Sequence, residues 1–116
     1  MTIKQIFDEI NSVSGDKDKM NVLSKYKENE TLKRVLYLCK SKRIKFFIKQ
    51  IPSYEISSGT KYTLEESLGE LMKIANREYT GHDATNFLFE LLSTSTSDDA
   101  YIIERIIEKD PKIGMG

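Results

Sequence analysis

At 116 residues the chain is long enough to bury one hydrophobic core and too short for two domains, and its 18 basic and 18 acidic side chains cancel to a net charge of zero. Its single cysteine, Cys39, excludes a disulfide framework and a metal site built from thiolates. No apolar run approaches the length of a bilayer span and the N-terminus has no signal-peptide h-region, so we expect a cytoplasmic protein without a membrane partner.

Neutrality hides segregation. Residues 1–50 hold twelve Lys/Arg against six Asp/Glu, and residues 51–116 reverse those counts. Between Thr31 and Tyr54 there is no acidic residue, while Lys33, Arg34, Lys40, Lys42, Arg43, Lys45 and Lys49 all fall inside. A basic face on a neutral domain is a footprint for phosphate, although lysine-rich surface helices produce the same statistic.

Ile3, Ile6, Phe7, Ile10 and Val13 recur at helical spacing and predict a first amphipathic helix, stopped by Ser14-Gly15. Asp16 is suited to cap a second helix to Tyr26, with Met20, Leu23 and Tyr26 inward. A third starts at Asn29 and carries Leu32, Val35, Leu36 and Cys39, the thiol acting as a small buried hydrophobe. The stretch from Ile44 to Pro52 reads as either a short strand or a further helical turn, and an irregular loop follows to Tyr62. Thr63 and Glu66 form a capping box for a fourth helix whose stripe is Leu64, Leu68, Leu71, Met72 and Ala75. Thr80 or Gly81 opens a fifth, with Ala84, Phe87, Leu88 and Leu91 inward; Ser97 caps a sixth, which breaks at Asp110-Pro111. The expected fold is all-α: one compact domain over residues 1–116, of about six helices, with an irregular or short extended segment near residues 44–62.

Catalytic machinery is not legible. His82 is the only histidine, and it has no partnered cysteine, serine or matched carboxylates; no Walker, HExxH or dinucleotide-binding sequence occurs. Glu65-Glu66 and Asp98-Asp99 fall in first helical turns, where they complement the helix dipole. We therefore expect a binding module with no catalytic and no metal-binding residues. Two backbone features suggest a ligand. At Thr80-Gly81 the first-turn amides of a helix lack intrahelical acceptors, and Arg77 lies one turn earlier. In Lys112-Ile113-Gly114-Met115-Gly116 the missing β-carbons allow close backbone approach. An ordinary helix stop at Gly81 and a loose tail are the plainer explanations of the two taken singly.

In order and spacing, Thr80-Gly81-His82-Asp83-Ala84 followed by Ile106 and Lys112-Ile113-Gly114 resembles the end of the helical N-terminal domain of ATP-dependent DNA ligases. The stretches Glu30 to Tyr37 and Phe46 to Pro52 look like their counterparts in the ligases of T-even-type bacteriophages. The resemblance implies a DNA-binding domain lying on the minor-groove side of nicked duplex DNA in replication and repair, holding the DNA while separate nucleotidyltransferase and OB-fold domains seal the nick. It transfers phosphate contacts to Thr80, Gly81, His82, Lys112, Gly114 and Gly116, with Arg77 reaching the first of the two corners. Lys112 replaces an arginine frequent in the family, and Asp110-Pro111 is an unusual entry to the turn. The adenylated Lys-x-Asp-Gly sequence of these ligases is absent, so the chain is expected to be an excised domain or truncated product, not itself an enzyme. ATP and magnesium are expected only in the full-length parent, which would act in the host cytoplasm if phage-encoded. The expected state is a monomer with duplex or nicked DNA as partner. The alternative is a protein-interaction module for a replication factor such as a sliding clamp.

Overall fold

The computed structural model describes residues 1–57 and 59–114, and these contain six α-helices and no strand. The helices are α1 (Ile3–Asn11), α2 (Asp16–Lys25), α3 (Glu30–Lys40), α4 (Leu64–Ala75), α5 (Gly81–Ser93) and α6 (Ser97–Glu108). The expected all-α class and helix number are therefore borne out.

Four of these helices run the same way. The Thr2 hydroxyl, N-cap of α1, donates to Asp98 in the first turn of α6 at 2.8 Å. The Thr31 hydroxyl at the start of α3 donates to Glu65 at the start of α4 at 2.9 Å. A shallow hollow of about 340 Å³ between them is lined by Thr2, Asn29, Thr31, Thr63, Glu65 and Asp99, so the N-termini of α1, α3, α4 and α6 share one pole. At the other pole Asn11, ending α1, donates through its side-chain amide to the Lys112 carbonyl beyond α6 at 3.1 Å. The Lys109 ammonium, also beyond α6, donates to the carbonyls of Leu38 and Ser41 at the end of α3.

Parallel helices need a return path for the chain, and three different segments supply it. The antiparallel helices α2 and α5 carry it back from α1 to α3 and from α4 to α6. Between α3 and α4 the return is an irregular strap. Phe46 packs beneath Lys109, the Tyr54 hydroxyl donates to Glu104 at mid-α6 at 2.6 Å, and the Lys61 amide donates to the Thr94 carbonyl at 2.8 Å. The strap is thus neither the strand nor the helical turn that the sequence left open. Its apolar residues Phe46, Ile48, Ile51 and Tyr54 are held by packing on the core rather than by a ladder.

At the centre stands α6, in contact with α1, α3, α4 and α5. Its Ile102, Ile103, Ile106 and Ile107 are buried, a wider apolar arc than a surface helix presents. Around it lie Ile6, Phe7 and Ile10 of α1, Val35 of α3, Leu68 and Leu71 of α4, and Leu88 and Leu91 of α5.

Details of the expected helices shift by a residue. Gly15 rather than Asp16 is the N-cap of α2, and Thr96 rather than Ser97 caps α6, accepting from the Asp99 amide. On α2 Met20 points to solvent, while Lys19 and Val22 are buried. The Lys19 stem packs inward because its ammonium finds the Ile10 carbonyl at 3.1 Å near the end of α1.

Candidate nucleic-acid interface

The pole carrying the C-termini of α1, α3, α4 and α6 collects the expected site residues. The helix α4 ends in a Schellman turn: the Arg77 amide donates to the Ile74 carbonyl and the Glu78 amide to the Lys73 carbonyl. That geometry requires a left-handed residue after the cap, normally glycine, and here it is Arg77 at φ 65°. Its exposed guanidinium is carried over the ring of Phe47, 4.3 Å from the centroid. Tyr79 then stacks on Phe87 at a centroid distance of 4.4 Å, fixing the turn that leads into α5.

Thr80, the N-cap of α5, is extended, and its hydroxyl caps nothing. Gly81 follows at φ 57°. The Asp83 and Ala84 amides both donate to the Thr80 carbonyl, whereas those of Gly81 and His82 have no acceptor among the described residues. Thr80, Gly81 and His82 are all exposed, so two bare amides and a free hydroxyl face outward from the positive end of the helix. Asp83 is exposed in the same first turn and competes for that dipole.

The second corner is built at the end of α6, which closes with another Schellman turn. The Lys109 and Asp110 amides donate back to Ile106 and Arg105, and Lys109 takes the left-handed position at φ 60°. Pro111 and Ile113 are buried, anchoring the turn, and between them Lys112 stands exposed at φ 54°. The Lys112 amide donates to the Asp110 carboxylate at 2.9 Å and its ammonium lies 3.8 Å from Glu108. Gly114, at φ 68°, faces the Lys19 side chain: a β-carbon placed there would lie 3.4 Å from the Lys19 ammonium. The tail is therefore no loose end as far as Gly114; Gly116 lies outside the described residues.

No hydrogen bond or ion pair among the described residues joins Thr80-Gly81 directly to Lys112-Gly114. The start of the strap links the helix ends from which they grow: Phe47 lies under Arg77 at the end of α4, and Phe46 under Lys109 at the end of α6. Exposed Lys42, Arg43 and Lys45 precede these rings. Phe47, Arg77, Lys109 and Lys112 are also the only non-glycine residues with positive φ among those described. Left-handed backbone costs an ordinary residue about 1–2 kcal/mol, and such strain concentrates at functional sites. Three of the four are cations and the fourth is an exposed aromatic.

The sequence singles out Arg77 and Lys112 but not Lys109 or Lys19, and it does not separate buried Phe46 from exposed Phe47. The acid-free span was the available signal, yet which of two adjacent rings points inward depends on the strap's path. Among the described residues no three His, Cys, Asp or Glu side chains lie together as metal ligands would, and no helix is long and apolar enough to cross a membrane.

No family model matches the chain. Over 115 residues, 97% of its length, it is 31% identical to the DNA ligase of Enterobacteria phage T4, and equally to that of phage T6. The chain spans 24% of the length of each of these relatives.

Proposed function

We propose, from the premise that this chain is a ligase-related domain, homologous along nearly its whole length to a segment of phage DNA ligases, that it binds duplex or nicked DNA without sequence preference. The observation that carries this reading is the shared pole: it holds the open start of α5, the turn after α6 and exposed Phe47 beneath Arg77, with left-handed cations ending α4 and α6. The chemistry fits a polyanion. Backbone amides at Gly81 and His82 and the Thr80 hydroxyl are donors for one phosphate. The exposed Lys112 and the backbone at Gly114, which has no β-carbon, suit a second, and Arg77 reaches toward the first. Phosphate contacts of this kind carry no base information, so the affinity is general.

The chain itself has no Lys-x-Asp-Gly sequence, and its role is to hold a nick while other domains of a full-length ligase seal it. Adenylation, with ATP and magnesium, belongs to those other domains. In this reading the domain is monomeric and acts in the cytoplasm during replication and repair.

Fluorescence anisotropy with a labelled nicked duplex tests the proposal. Affinity should fall with salt at a log–log slope of about −0.9 for each phosphate neutralised. Thr80→Glu and Gly114→Glu should each weaken binding, by placing a carboxylate where phosphate docks. Absence of binding at the lowest salt would overturn the reading. A protein partner, such as a sliding clamp, is favoured by one other feature, a groove between the strap and α5 lined by Tyr54 and Phe89 near exposed Ile56. Retention on a clamp column but not on DNA would select that alternative.

A further inference from the structure

Phe47 is 62% exposed, one of the few large apolar side chains turned to solvent. The residue before it, Phe46, is 3% exposed beneath Lys109, and the chain turns through φ 58° to send the next ring outward. Bulky side chains almost never adopt that backbone conformation. Arg77, itself held left-handed by the end of α4, then lays its guanidinium over the ring. Two residues with left-handed backbone, from separate elements, thus present an aromatic–cation pair to solvent. Neither the core nor a cap needs the Phe47 ring, so folding alone gives no reason for its position.

The pair stands at the same pole as the open start of α5 and the turn after α6. In a duplex the two sugar-phosphate strands border a groove, so a protein face that grips the strands also presents its projecting side chains to the groove. An apolar ring entering the minor groove meets sugar edges and base steps, and it unstacks a step when it inserts. A guanidinium beside it is drawn to the negative potential of the same groove. We infer that Phe47, braced by Arg77, is a wedge that enters the minor groove at a base step and kinks the duplex, giving the domain a preference for DNA already weakened by a nick. The inference rests on the DNA-binding reading and adds to it a contact with bases that salt does not screen.

The test compares wild type with Phe47→Ala and Phe47→Leu on intact and nicked duplexes carrying 2-aminopurine at successive steps. Wild type should raise 2-aminopurine fluorescence at one step and favour the nicked duplex. Phe47→Ala should lose that signal and bind nicked DNA about tenfold more weakly, with its salt slope unchanged. Phe47→Leu, which keeps an apolar wedge, should retain part of both. If wild type binds duplex DNA but Phe47→Ala matches it in affinity, nick preference and fluorescence, the wedge is overturned while the phosphate grip stands. If wild type binds no DNA at all, the broader reading has failed first. Because the ring is exposed, circular dichroism should show both variants folded; were Phe47→Ala unfolded, Phe47→Leu alone decides, wild-type nick preference without fluorescence change counting against the wedge.

Discussion

The ammonium of Lys109 lies 2.7 Å from the carbonyl oxygen of Ser41, tying the end of α6 to the end of α3. The Leu38 carbonyl shares the same ammonium, so a single cation satisfies two C-terminal acceptors of a neighbouring helix. No carboxylate is hydrogen-bonded or paired with it among the described residues, and burial lowers its pKa from the ordinary lysine value. The residue also bears left-handed strain. Lys109→Met removes the bonds and keeps the strain, and should lower stability by about 1–2 kcal/mol in urea titrations. Lys109→Gly loses the same bonds but relieves the strain, and should be less destabilising. Equal stabilities for the two variants would show that strain at this turn contributes nothing.

Arg77 separates stability from binding more cleanly. Arg77→Gly suits the left-handed position, a gain of about 1 kcal/mol, and loses an exposed cation–π contact worth about 0.5–1 kcal/mol. Thermal stability should therefore stay level or rise slightly. Affinity for DNA should fall several-fold at low salt, with the salt slope shallower by about 0.9. A variant as tight as wild type would remove Arg77 from the interface.

The turn after α6 depends on its anchor. Ile113→Ala shortens a buried side chain and should cost about 2 kcal/mol, loosening the frame that holds Lys112 and Gly114. DNA affinity should drop beyond what the global destabilisation explains, measured under conditions where the variant is fully folded. Lys112→Ala, on the exposed face, should leave stability nearly unchanged while reducing the salt slope by about 0.9.

Cys39 offers a reporter of opening. Burial pushes its thiol up from 9.0 to about 11, outweighing the pull of nearby Lys109 and Lys40. Between pH 9 and 11 the unfolded chain releases a proton that the folded chain keeps, so stability should decline as pH rises through that window. At pH 8 a disulfide reagent should label the native protein at least about tenfold more slowly than the urea-unfolded one. Equal rates would mean that the core around α3 is open.

Sequence periodicity carried most of this architecture. The stripes of α1, α4 and α5 and the Thr63–Glu66 capping box are local patterns, and the structure repeats them. What the pattern could not carry was anything decided by a distant carbonyl. Lys19 replaces Met20 on the inner face of α2 because the Ile10 carbonyl is within reach, and Lys109 bends back because α3 ends beside it. The corners at Thr80-Gly81 and Lys112-Gly114 were legible as glycine-bearing breaks. That the strap would start at the same pole, with Phe46 in and Phe47 out, depended on the parallel direction of α3 and α4, which no local signal encodes.

That shared direction has an electrical consequence. Four helix axes aligned one way favour acidic groups at their common start, where Glu30, Glu65, Glu66, Asp98 and Asp99 cluster in first turns. They favour cations at the far end, where Lys40, Lys42, Arg43, Arg77, Lys109 and Lys112 outnumber the acids Glu78, Asp83, Glu108 and Asp110. A molecule with no net charge is thereby a lopsided one, and the field of a polyanion exerts a torque on it before any contact forms. Encounters would be turned basic end first, so association should quicken at low ionic strength even though the protein as a whole is attracted to nothing.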